Sequence, residues 1–201
     1  MNLNLLQKFS NIWNPWFSAN ENDGVSSISG TAELRPKILD LFAKYNIKSI
    51  FDSGSNDCGW MNFIAKEINY HGGDISVNMV NHAKNRFPDL DIVLHDITTD
   101  DIPAVDCLFS RDVAIHLNNQ DKHLMWQNWY RSGVPWILTT NIDDCEQNLD
   151  FDYNQVDFPF AEVNWKISPW NFPDPVDHIT EQNLQGRTLS LWHRDQFKGI
   201  L

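Results

Sequence analysis

Between Lys48 and Thr140 short apolar runs alternate with stretches of helical periodicity, and that alternation restricts the chain to an α/β fold with a mostly parallel sheet. The runs are Lys48-Ser49-Ile50-Phe51, a short strand ending at Gly73-Asp74-Ile75, Asp91-Ile92-Val93-Leu94, Val105-Asp106-Cys107-Leu108-Phe109 and Pro135-Trp136-Ile137-Leu138-Thr139-Thr140. Ahead of the first run, Leu34, Ile38, Leu39, Leu41 and Phe42 recur at helical spacing, with Pro36 early and Asn46 as a stop, which predicts a helix near 31–45. Further helices are expected around Met61, Phe63, Ile64 and Ile68, over 77–86 and over 118–131. Beyond Asn141 the helical rhythm ends. Two β segments, about 161–167 and 187–193, are expected to close the sheet as a hairpin-like edge on either side of Pro169-Trp170-Asn171-Phe172-Pro173-Asp174-Pro175. The Asp- and Asn-rich stretch 141–157 reads as one long loop, a place where function concentrates.

The 201 residues fit one domain, read here as a Rossmann-like body over 31–201 preceded by an irregular arm or lid over 1–30. A net charge of −12 without any Lys/Arg cluster argues against a large nucleic-acid footprint, because neutralising phosphates takes a basic face. No apolar run approaches the roughly 20 residues that cross a bilayer, and the first residues lack the pattern of a secretion signal. Cys58, Cys107 and Cys145 are widely spaced and read as reduced thiols, so a cytoplasmic protein is expected. No metal-ligand spacing occurs, and His178 and His193 are read as structural.

The turn after the first run, Asp52-Ser53-Gly54-Ser55-Asn56-Asp57-Cys58-Gly59-Trp60-Met61, is followed 22 residues beyond Asp52 by Asp74 at the end of the second strand. In doubly wound sheets these two places face one ligand, and an acid after the second strand suits a ribose, whose two hydroxyls it can accept. The turn carries Asp52 and Asp57 and no Lys or Arg before Lys66. That setting is poor for phosphates and better for a ligand with cationic groups, such as S-adenosylmethionine with its ammonium and sulfonium. Taken alone, Gly54 and Gly59 would also serve as plain turn glycines.

These segments resemble the class I S-adenosylmethionine-dependent methyltransferases through Phe51-Asp52-Ser53-Gly54-Ser55-Asn56, Gly73-Asp74-Ile75-Ser76, His95-Asp96-Ile97 and Phe109-Ser110-Arg111-Asp112-Val113, in that order. More narrowly the chain is similar to a small bacterial and phage-type group of unassigned substrate, through Ser27-Ile28-Ser29-Gly30, Asp52 to Met61, Ser110 to His116 and Asn171 to Pro175. Asn56 stands where the family turn has its second Gly, and Ser110 where the group has Cys. The resemblance implies a Rossmann-like sheet, mostly parallel with an antiparallel last strand, and S-adenosyl-L-methionine as cofactor. It implies that Asp52, Ser53, Gly54 and Asn56 hold the methionine part, Asp74 the ribose, and Asp96 with Ile97 the adenine, with Ile75 packing beside it. Trp60 and Met61 are either cofactor walls or helix core, and Ser110 belongs with the cofactor set.

Methyl transfer needs an aligned nucleophile and, for a hydroxyl or protonated amine, a base. The segment after the fourth strand presents Arg111, Asp112 and His116, and an imidazole suits a base near neutrality. His116 could instead cap or pack at the next helix, and Arg111-Asp112 could be an internal ion pair. No G-x-S-x-G elbow supports a Ser/His/Asp hydrolase. The Asn/Asp-Pro-Pro-aromatic pattern of amino-methylating enzymes is absent, which argues against a DNA amino methyltransferase. Trp13, Trp16, Trp165, Trp170 and Phe172, among nine Trp in all, could roof the site or fill core. The expected function is a methyltransferase acting on a small or exposed acceptor. Its rivals are a cofactor-binding sensor or interaction protein without transferase activity, and a nicotinamide-dependent oxidoreductase, against which Asn56 and the acidic turn speak.

Overall fold

The computed structural model describes residues 24–182, 184 and 186–201. Most of the expected arm, including Trp13 and Trp16, lies outside the described residues. The strands form a seven-stranded sheet of order β3-β2-β1-β4-β5-β7-β6. Packing divides the chain into two compact units, one ending at Asp100 and the other beginning at Asp101.

In the first unit, α1 (Leu34–Lys44) buries Leu34, Ile38, Leu41 and Phe42 along one stripe. It stops where Asn46 takes φ 54°, a left-handed conformation that Asn tolerates better than most side chains. β1 (Ser49–Ser53) is buried from Ile50 onward, as a strand covered on both faces must be. β1 runs parallel to β2 (Asn69–Asp74), and β2 parallel to β3 (Asp91–Leu94). Between them lie the short α2 (Met61–Ile64) and α3 (Val77–Arg86), whose expected span is the observed one. Ser76 caps α3, its Oγ accepting from Met79 N at 3.4 Å. The helix expected to reach Ile68 stops at Ile64, because β2 begins at Asn69, whose N–H already pairs with the Lys48 carbonyl, and the chain has to turn in between.

In the second unit, β4 (Cys107–Ser110) runs parallel to β5 (Trp136–Ile142). A 3₁₀ turn over Ala114–His116 leads into α4 (Asn119–Ser132), which is capped by Asn118 Oδ1 on Asp121 N at 2.9 Å and ended by Gly133 at φ 81°. β7 (Arg187–His193) lies antiparallel to β5, and β6 (Asp177–Thr180) antiparallel to β7. The expected strand at 187–193 is therefore present, but the one at 161–167 is not. There the backbone serves loop contacts instead of a ladder: Val163 O accepts from Ile142 N, Ala161 N donates to Ile115 O, and Trp165 N donates to the Asn141 side chain. The edge strand at this end of the sheet is β6.

The core of this unit is aromatic. Trp126 on α4 meets Trp129, Trp165, Phe172, Trp192 and Phe197 with centroids 4.8 to 5.6 Å apart, mostly edge to face. Trp165 and Phe172 are thus buried in the core and do not form a roof. Among the described residues, no helix is long and apolar enough to cross a membrane.

Candidate cofactor and catalytic sites

The turn after β1 is held by its neighbour strand. Gly54 N and Ser55 N both donate to Gly73 O, at 2.8 and 3.0 Å. Gly73 admits no side chain, since a Cβ would come within 2.6 Å of the Phe51 ring and 2.9 Å of His95 Cβ. Gly54 takes φ 83°, and Asn56 and Cys58 follow at 51° and 57°, so the turn winds through left-handed conformations in quick succession. Asn56 N then donates to Asp74 Oδ2 at 2.9 Å, while Ser76 N donates to Asp74 Oδ1 at 2.8 Å. One carboxylate therefore ties the β1 turn to the start of α3. Each of its oxygens accepts one backbone N–H here, and a carboxylate oxygen can accept more than one hydrogen bond.

Asp52 is buried beneath this turn, and Tyr70 donates its hydroxyl to Asp52 Oδ2 at 2.6 Å. Burial pushes the Asp52 carboxyl up to about 7; the Tyr70 hydrogen bond opposes the rise and the charge of Asp74 adds to it. Burial also raises Asp74, against the two backbone donors that stabilise its anion. Cys58, 3.5 Å from the Tyr70 hydroxyl, is pushed up to about 12 by burial and by Asp52, which makes it an inert thiol. Arg86 pairs with Asp57 at the half-exposed rim, at 2.7 Å. Among the described residues of this unit, no Lys or Arg is buried with these acids. That donor set fits a ligand bearing positive charge and hydroxyl donors.

Asp96, after β3, is buried; its Oδ1 accepts from Thr98 N at 3.0 Å and Thr98 Oγ1 at 2.6 Å, a turn built on the side chain. Ile97 is buried beside it and Ile75 is half-buried. Trp60 is buried just ahead of α2, and Ser53 is buried at the end of β1. Of the expected cofactor residues, a hydrogen bond joins Asn56 to Asp74, while Gly54 N bonds the carbonyl of Gly73 next to Asp74 and Asp52 is buried at the end of β1.

In the second unit, Ser110 ends β4 fully buried, and among the described residues its Oγ has no hydrogen-bond partner. Arg111 is gripped by Glu181, with Nε to Oε1 at 3.2 Å and a terminal nitrogen to Oε2 at 2.7 Å. Asp112 sits at φ 61°, its N–H donating to Thr140 Oγ1 at 2.8 Å and its carboxylate taking both oxygens to Arg187, at 2.9 and 2.8 Å. Two guanidinium and two carboxylate groups thus form one network. Asp112 and Glu181 keep Arg111 firmly charged despite the burial that opposes it.

His116 places Nδ1 at 2.8 Å from Pro159 O, with Phe158 and Phe160 packed against its ring at 5.4 and 6.2 Å. A carbonyl only accepts, so Nδ1 carries the proton and Nε2 the lone pair. Burial holds the imidazole below its ordinary value; the Pro159 bond and Asp112 oppose that shift, and Arg187 adds to it. That burial favours the neutral form of the ring.

No family model matches the chain. Over 137 residues it is 30% identical to phosphoethanolamine N-methyltransferase of Plasmodium falciparum, which covers 63% of this chain and 52% of that protein, so the chain spans about half the length of the relative it matches. Among solved structures, DhpI with bound S-adenosylhomocysteine superposes with a TM-score of 0.62 at 12% identity, over 95% of this chain and 97% of that one. The S-adenosylmethionine-dependent methyltransferase SibL, in its apo form, gives 0.59 at 16% over 82% and 55%. Magnesium protoporphyrin IX methyltransferase of Synechocystis, with bound S-adenosylhomocysteine, gives 0.51 at 14% over 72% and 70%. The fold is that of the class I methyltransferases.

Several partners in these sites escape a reading of the sequence. Tyr70 lies two residues before Gly72, which pairs with Asp52 in the parallel register, so it projects on the same face; a strand-pairing argument could have found it. Glu181 and Arg187 lie about seventy residues from Arg111 and Asp112, and no local pattern announces them.

Proposed function

We propose that this protein is an S-adenosylmethionine-dependent methyltransferase acting on a small or exposed acceptor, with His116 as the proton acceptor. The observation that carries the reading is the Asp74 carboxylate clasped by Asn56 N and Ser76 N above a buried Asp52, on a methyltransferase fold and with no buried cation in that unit among the described residues. Asp52, Ser53, Gly54 and Asn56 would hold the amino-acid part of the cofactor, Asp74 its ribose, and Asp96 and Ile97 with Ile75 its base. Trp60 would wall it. When bound, S-adenosylmethionine supplies an activated methyl group.

The chain's own part is to orient and to move a proton. His116 Nε2 accepts it, its tautomer held by Pro159 O, while the Arg111–Glu181 and Asp112–Arg187 pairs fix the segment that carries the histidine. The Plasmodium relative is named for phosphoethanolamine, so small primary amines are the first acceptors to try. The chain's negative charge and the absence of a basic cluster speak against nucleic acid as acceptor, and its three free, buried cysteines fit a cytoplasmic setting. The test is S-adenosylhomocysteine release during incubation with the cofactor and an amine panel. Turnover above the no-acceptor rate supports the reading. Tight cofactor binding with no release over amines, phenols and thiols would leave a cofactor-binding protein instead.

A further inference from the structure

Segment 150–161 is fastened to the elements around His116 at two places. The first is the start of α4, where backbone N–H groups have no partner inside the helix. Asn118 Oδ1 takes Asp121 N, and two earlier N–H groups go to side chains of the segment: Asn119 N to Asp150 Oδ1 at 2.8 Å and Asn118 N to Tyr153 Oη at 3.1 Å. Tyr153 in turn donates its hydroxyl to Asp121 Oδ2 at 2.8 Å. One hydroxyl therefore binds a helix N–H and a helix carboxylate together. The second place is the 3₁₀ turn, where Pro159 O accepts from His116 Nδ1 and Ala161 N donates to Ile115 O at 2.8 Å. His116 and Asn118 are separated only by Leu117, so both fastenings act on the same short piece of chain.

We infer that Tyr153 is a positioning residue for His116: by clasping this segment to the start of α4, it holds the Pro159 carbonyl where it selects the Nδ1–H form of the imidazole. The inference rests on the reading of His116 as proton acceptor. An imidazole free in water prefers the Nε2–H form, which would put a proton on the nitrogen that has to accept one. Pro159 has no N–H with which to anchor itself, so its carbonyl is placed by its packing, by the Ala161–Ile115 bond two residues on and by the clasp six residues earlier. Phe158 and Phe160, on either side of it, pack against the His116 ring. Among the described residues, Asp112 and Arg187 act on the ring and pair with each other; neither lies on the segment, so loosening the clasp leaves them in place.

The experiment is nitrogen-15 spectroscopy of the histidine side chains in the full chain, with the His116 signal assigned by its loss in His116→Gln. The parent should show the Nδ1–H form. In Tyr153→Phe the Nε2–H fraction should rise severalfold and kcat should fall, with the cofactor dissociation constant unchanged. Asp121→Ala, which removes the other half of the clasp and keeps the Tyr153 ring, should do the same, while Asp121→Asn, whose amide oxygen still accepts, should stay near the parent; this pair decides the matter if Tyr153→Phe does not fold. A parent histidine in the Nε2–H form, or a tautomer unmoved by both Tyr153→Phe and Asp121→Ala, overturns the inference. Because the spectrum is read without turnover, a protein that transfers no methyl group but shows the tautomer shift refutes the catalytic reading alone.

Discussion

Arg111 and Glu181 stand seventy residues apart in sequence and close a two-pronged ion pair in which both side chains are almost wholly buried, at 3% and 7% exposure. Glu181 follows β6 and Arg111 follows β4, so the pair binds the late edge of the sheet to the segment that leads to His116. Removing one partner of a buried pair leaves the other charge uncompensated, which costs about 3–5 kcal/mol. Arg111→Met should therefore lower unfolding stability by about that amount, and Arg111→Met with Glu181→Leu should recover most of it. Urea unfolding of the two variants checks this; a single variant within about 1 kcal/mol of the parent would deny the pair its structural role.

Asp52 gives the protein a particular pH dependence. Its folded-state value, about 7, lies above the ordinary 3.8, so the folded chain keeps a proton that the unfolded chain releases. The stability this contributes is complete below the ordinary value and is lost as pH rises through about 7. Asp52→Asn, uncharged throughout, should remove that part of the slope, so the variant gains on the parent as pH rises from 4 to 8. Thermal unfolding of both at pH 5 and pH 8 provides the comparison, and a constant difference in Tm would show that Asp52 titrates normally.

Asn56 holds φ 51° where glycine would be free of strain. Its side chain offsets part of the cost by accepting from Asp57 N at 2.7 Å. Asn56→Gly should leave stability within about 0.5 kcal/mol, whereas Asn56→Ala, which has the strain without the hydrogen bond, should lose about 1 kcal/mol. Equal losses in the two variants would mean that backbone conformation is not what the position selects.

His116→Ala should slow turnover by about 10²–10⁴-fold, the usual worth of a general base, with cofactor affinity within about twofold of the parent. In the parent, the rate should rise with pH and level off below the ordinary histidine value of about 6.5, because burial favours the neutral ring. A variant with the parent's rate and profile would reduce His116 to a packing residue.

The parts of the fold readable from sequence are those set by local periodicity: 77–86 as α3, Asp91–Leu94 as β3 and 187–193 as β7 all emerge as expected. The misplacement of a strand at 161–167 has a local cause as well. Ala161, Val163 and Trp165 alternate as a strand would, but their backbone groups are taken by Ile115, Ile142 and the Asn141 side chain, all distant in sequence. The same division holds in the sites. The turn from Asp52 to Asn56 and its spacing to Asp74 are local and legible. Tyr70 on Asp52 comes into view only once β1 and β2 are paired, while Arg187 on Asp112 and Pro159 on His116 depend on loop return, which one sequence does not display.

Calorimetric titration of the purified chain with S-adenosylmethionine tests the central claim most directly, with Asp74→Ala run beside it. The account predicts saturable one-to-one binding by the parent. It predicts a loss of about 1.5–3 kcal/mol in the variant, roughly 10- to 150-fold in affinity, because the ribose loses a charged acceptor and the Asn56 and Ser76 amides lose the carboxylate that aligns them. No heat of binding by the parent, or equal affinity in the two proteins, would contradict it.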